Sequence, residues 1–128
     1  MSRIEMERYI PNHPTIQVKL PDWMASEDWT SVDLDIEIAP MVQSLWKMGF
    51  FTNVSCQGDN DHWAHIGFVD DGDAIRFVML LRNFPISLGE DDSIELMLLF
   101  GPFPTMVRFP PQFIPKLTTL LNKLSRIK

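Results

Sequence analysis

Apolar and polar residues alternate over Thr15-Ile16-Gln17-Val18-Lys19-Leu20, the period of a half-buried strand, and Pro21 ends it. Val32–Asp35 reads as a short strand or a lead-in. The period then lengthens. Met41, Val42, Leu45, Trp46 and Met48 recur at helical spacing, which predicts a helix starting near Ala39 with Asp35 as its N-cap, Pro40 in its opening turns and Gly49 just past its end. Phe50–Cys56 and Trp63–Phe68 are rich in β-formers around the turn residues Gln57–Asp61, so they predict a hairpin. Asp70-Asp71-Gly72-Asp73 offers N-caps to a helix whose stripe is read as Ile75, Val78, Met79 and Leu81 or Arg82. Ser87–Asp92 is a polar connector, Ile94–Phe100 a strand, Gly101-Pro102 a turn and Thr105–Phe109 the return strand. A last helix carries Ile114, Leu117, Leu120, Leu121 and Leu124 on one stripe.

This order predicts one α+β domain over residues 1–128, with 1–14 a loosely held arm. The expected architecture is a single, mostly antiparallel sheet with helices on one face. Its connection order is ferredoxin-like, βαββαβ, with an extra strand and a C-terminal helix.

Strand parity sharpens the expectation. Phe50, Thr52, Val54 and Cys56 share one face of their strand, and Ala64, Ile66 and Phe68 form the inward set on the next. The opposite surface then displays Phe51, Asn53, Ser55, Trp63, His65, Met97, Leu99 and Arg108. Apolar ground with a few hydrogen-bonding groups suits a ligand or partner. The arm, the loop holding Trp23 and Trp29, or a second copy of the chain could also cover it.

Composition narrows the classes. At 45% hydrophobic and 22% charged the chain is too apolar for a disordered protein. One cysteine excludes an internal disulfide framework and fits a reducing compartment. No apolar run approaches a membrane span and the N-terminus is too charged for a signal peptide, so a cytoplasmic protein is expected. The formal charge of −6 disfavours nucleic acid and anionic membranes as partners. All 17 acidic residues lie at or before Glu95, where the net charge is −11, and the remainder carries +5. Such an acidic surface fits inhibition of a basic protein, with salt-sensitive binding.

Reactive side chains concentrate in Ser55–His65. Cys56 with a His62 or His65 base could form a nucleophilic pair. Cys56, Asp59, Asp61, His62 and His65 include the ligand types of zinc, and Cys56, Asp59, His62 and His65 are the candidate metal set. Recognition needs no special pKa: Phe51, Asn53, Ser55, Gln57, Gly58, Trp63, His65 and Arg108 would offer polar contacts and stacking rings to a small polar or aromatic ligand or a protein.

The unit Ile38-Ala39-Pro40 … Leu45-Trp46 … Gly49, followed by Thr52 … Ser55-Cys56-Gln57-Gly58-Asp59, resembles small uncharacterised proteins of bacteria and their phages over residues 35–80. A fainter echo lies at Val107-Arg108-Phe109-Pro110. That resemblance implies a phage or mobile-element association and brings no activity with it. The T-x-x-S-C-x-G stretch is also locally similar to the tRNA wybutosine-synthesising methyltransferase family, with Gln57 and Asp59 in place of that family's small and basic residues. The expected function is therefore non-catalytic binding without a cofactor, ahead of a Cys56 enzyme and a metal-binding protein.

Overall fold

The computed structural model describes residues 13–59, 62–83, 97–99 and 105–126. The arm up to residue 12, Asp61, the Ser87–Asp92 connector, the Gly101-Pro102 turn and the outer parts of the Ile94–Phe100 strand lie outside the described residues.

Six strands and three α-helices make an α+β fold among the described residues. The elements are β1 (Thr15–Lys19), β2 (Ser31–Asp35), α1 (Ala39–Lys47), β3 (Thr52–Cys56), β4 (Ala64–Phe68), α2 (Asp71–Asn83), β5 (Met97–Leu99), β6 (Thr105–Phe109), a 3-10 turn at Pro111–Phe113 and α3 (Ile114–Ser125). No helix is long and apolar enough to cross a membrane among these residues.

The strands form two antiparallel sheets, not the expected single one. β1 pairs with β2 over five residues, Thr15 opposite Asp35 through Lys19 opposite Ser31. The other sheet has the order β3-β4-β6-β5. Because β1 stands outside that sheet, the ferredoxin-like order is not the one adopted. The cause is local. Leu20 N–H donates to Thr30 O, and Ser26 and Trp29 bridge each other, so the chain turns back and β2 takes β1 as its partner.

Helix α1 buries Met41, Val42, Ser44, Leu45 and Trp46. Gly49 at φ +89° closes it, its N–H reaching Trp46 O while Phe50 N–H reaches Leu45 O. Asp35 does not cap this helix with its side chain, since the N-cap is Ile38 without a side-chain bond. Asp70 does cap α2: its Oδ1 accepts the Gly72 N–H at 2.8 Å.

Ala64, Ile66, Phe68, Val107 and Phe109 have no exposed surface and make the sheet's contribution to the core. Leu117 and Leu121 of α3 and Met41 and Leu45 of α1 join the same cluster. The stripe of α2 differs from the expected one. Ala74, Phe77 and Leu81 are buried, whereas Ile75 and Met79 are 45% and 51% exposed. Phe77 decides the rotation, because its ring meets Phe68 at 5.5 Å and Phe50 at 6.4 Å. Trp46 crosses from α1 to β3, its Nε1–H donating to Thr52 Oγ1 at 2.8 Å.

Candidate functional site

Strand β3 does not keep its parity. Thr52 lies opposite Phe68, but the register slips between Thr52 and Val54, after which Val54 faces Gly67, Ser55 faces Ile66 and Cys56 faces His65. A bulge places one extra residue on β3 and reverses every later side chain. Val54 and Cys56 therefore share the face of His65, and Ser55 shares that of Ile66. This overturns the inward placing of Val54 and the outward placing of Ser55; Cys56 is buried as expected, but on the His65 side of the strand pair. Val54 is 43% exposed as a result.

The expected docking face is thereby divided into separate places. Phe51 is half-buried under the loop before β2. Trp29 stacks on it at 6.3 Å and Trp23 meets it edge-on at 5.7 Å, while its N–H donates to Asp73 Oδ2. The chain itself thus covers that ring. Asn53 and Ser55 line a cleft of about 220 Å3 between the two sheets, together with Trp29, Val32, Asp33, Leu34 and Trp46. Asn53 Oδ1 and Ser55 Oγ are buried and make no hydrogen bond among the described residues. Gln57, Gly58 and Trp63 line a different, open groove with Glu37, Asp59 and the Pro110–Gln112 segment.

Gln57 is buried and engaged at both ends. Its Oε1 accepts the Glu37 N–H at 3.0 Å and its own N–H donates to Asp35 Oδ2 at 2.9 Å. Gly58 sits at φ +71°, where a Cβ would lie 2.5 Å from His62 O. Only a glycine fits this approach of the two hairpin strands. His65 pairs with Arg108 across β4 and β6, and both are half-buried. Burial pushes the His65 imidazole below its ordinary pKa; the Arg108 charge acts the same way and the Asp35 charge opposes it. Arg108 Nε is buried without a hydrogen bond among the described residues.

Beside these residues stands a cluster that sequence reasoning missed. His13, just before β1, Asp35 at the end of β2 and Cys56 at the end of β3 bring one ligand atom each to within 4.8 Å of one another. His13 Nδ1 lies 3.1 Å from Asp35 Oδ2, and both side chains are only 12% exposed. No sequence spacing announces this set, because its members lie on three separate strands' ends. His62 is turned elsewhere, with Nδ1 at 3.0 Å from Asp59 Oδ1. Among the described residues, the metal-ligand types that converge are thus His13, Asp35 and Cys56, not Cys56, Asp59, His62 and His65.

Burial pushes the Cys56 thiol up in pKa. The Gly58 N–H, 3.5 Å from Sγ, works against this, while Asp35 and Asp59 add to the rise. A thiol held protonated at neutral pH is a poor nucleophile. Comparison with protein-family models, curated proteins and solved structures finds no match for the chain.

Proposed function

We propose that the protein is a non-catalytic binding protein whose ligand is a small planar molecule bearing N–H donors, held in the cleft between the two sheets. One observation carries this reading: Asn53 Oδ1 and Ser55 Oγ are buried there without hydrogen bonds among the described residues. Buried polar atoms are nearly always paired in folded proteins, so two such atoms in one cleft mark an unmet demand. Asp33 adds a carboxylate to the lining, and Trp29 and Trp46 add aromatic surface. An acceptor-rich, aromatic-walled space selects an aminated ring over an anion. Its volume admits a single substituted ring.

The raised thiol pKa at Cys56 supports binding over the cysteine-enzyme alternative. The test is a thermal-shift screen with single-ring heteroaromatic amines, followed by Asn53→Ala and Ser55→Ala. A hit should stabilise the wild type and lose most of that effect in both variants. Ser55→Ala itself should leave the unliganded protein as stable as before, or more so by up to about 1 kcal/mol, because it removes an unpaired buried hydroxyl. A loss of stability would mean that the hydroxyl is already satisfied, and the reading would fall.

A further inference from the structure

We propose that His13, Asp35 and Cys56 form a site for one divalent transition metal of the zinc class. The proposal is independent of the ligand cleft, whose polar residues are not among these ligands.

Three donor types meet: an imidazole nitrogen, a carboxylate oxygen and a thiol sulfur, all within 4.8 Å of one another. In a tetrahedral zinc site with bonds of about 2.0–2.3 Å, neighbouring ligand atoms stand roughly 3.5 Å apart. The approach needed is about an ångström, which side-chain rotation supplies. His13 Nδ1 and Asp35 Oδ2, at 3.1 Å, already stand at such a separation.

The surroundings are those of a prepared site. The Gln57 N–H holds the Asp35 carboxylate at 2.9 Å, and Gln57 is itself pinned by the Glu37 N–H. The Gly58 N–H points at Cys56 Sγ. Backbone donors of this kind orient ligands and stabilise a thiolate once it forms. The bulge in β3 is what turns Cys56 toward this face.

Charge agrees with a divalent ion. Neutral imidazole, carboxylate and thiolate sum to −2, so a bound M2+ makes the buried centre neutral, and Asp59 adds a further negative charge near Sγ. Binding would release the thiol proton to solvent, one per ion. Sulfur and nitrogen donors favour zinc or cobalt over magnesium or calcium, which require oxygen. With three protein ligands, the fourth position remains for water or an incoming group.

The probe is Co2+, added at neutral pH to the full chain after tag removal, reduction and chelator treatment. The expected result is a single equivalent bound, with a thiolate-to-cobalt charge-transfer band and the strong visible bands of a tetrahedral ion. Zn2+ should displace it and Mg2+ should not. Cys56→Ser should abolish the charge-transfer band. His13→Ala and Asp35→Asn should each weaken binding at least tenfold, with far-UV circular dichroism reporting that each variant is folded. Asparagine keeps an oxygen for the Gln57 N–H, and His13→Gln serves as the second variant at that position. A folded wild type without the band overturns the proposal. So does a band unchanged by both His13 substitutions, since the cysteine would then be collecting the ion adventitiously.

Discussion

Two glycines with positive φ test how much of the hairpin depends on close approach of its strands. Gly49 stands at φ +89° and a Cβ there would meet nothing within 4 Å. Gly58 stands at φ +71° and a Cβ would lie 2.5 Å from His62 O, 2.7 Å from Ala64 N and 2.8 Å from Trp63 C. An alanine at either position carries the left-handed penalty of about 1–2 kcal/mol. Reduced freedom of the unfolded chain offsets about 0.4–1 kcal/mol of it. Gly49→Ala should therefore cost about 1 kcal/mol. At Gly58 the opposing atoms are backbone and cannot rotate aside, which adds about 1–3 kcal/mol of overpacking. Gly58→Ala should cost about 3 kcal/mol in total. Urea unfolding followed by tryptophan fluorescence measures both, and the melting temperatures should fall by about 4 °C and 10 °C. Equal losses in the two variants would refute the argument, because backbone strain alone would then account for both.

Phe77→Ala should destabilise by about 3–5 kcal/mol, whereas Met79→Ala should stay within about 0.5 kcal/mol, and reversed magnitudes in urea titration would mean that α2 presents its other stripe. Burial lowers the His65 pKa, so the unfolded chain binds a proton that the folded one resists. This contribution to stability is complete above the ordinary value of 6.5 and shrinks as the pH falls below it; His65→Gln should flatten that part of the stability–pH curve. Alkylation of Cys56 should show its midpoint above the ordinary thiol value of about 8.5, and a midpoint below it would restore the cysteine-enzyme reading. The same raised pKa means that the thiol's contribution to stability is fully present below the unfolded value and is lost as the pH rises from there through the higher folded value.

Local signals were legible where one residue type decides one outcome. The alternation in Thr15–Lys19, Pro40 at the opening of α1, Gly49 at its end and Asp70 before α2 all act within a few residues, and each element stands where they place it. Pairing and rotation were not legible, because they depend on distant partners. The strand alternation is equally compatible with β1 joining β3 or turning back onto β2. Helix α2 carries two apolar stripes, and only the positions of Phe50 and Phe68 select the one with Phe77. The bulge at Asn53 has no glycine to announce it, and it moved half of the expected site. His13 falls in the segment expected to be a loose arm and Asp35 where a helix cap is expected, so the sequence marks neither as a ligand. Their meeting with Cys56 is a product of the two-sheet arrangement.

Four steps along β3, from Thr52 to Cys56, span only three along β4, from Phe68 to His65. Loss of a single codon at position 53 would even the two arms and leave the sulfur opposite His65. A strand of unchanged length that straightened with Thr52 still opposite Phe68 would instead carry the sulfur opposite Ala64, onto the side of the oily interior. Homologous chains that share the cysteine and the hairpin length would thus differ in its use according to whether the kink is kept, and an aligned sequence letter alone would not tell the two uses apart.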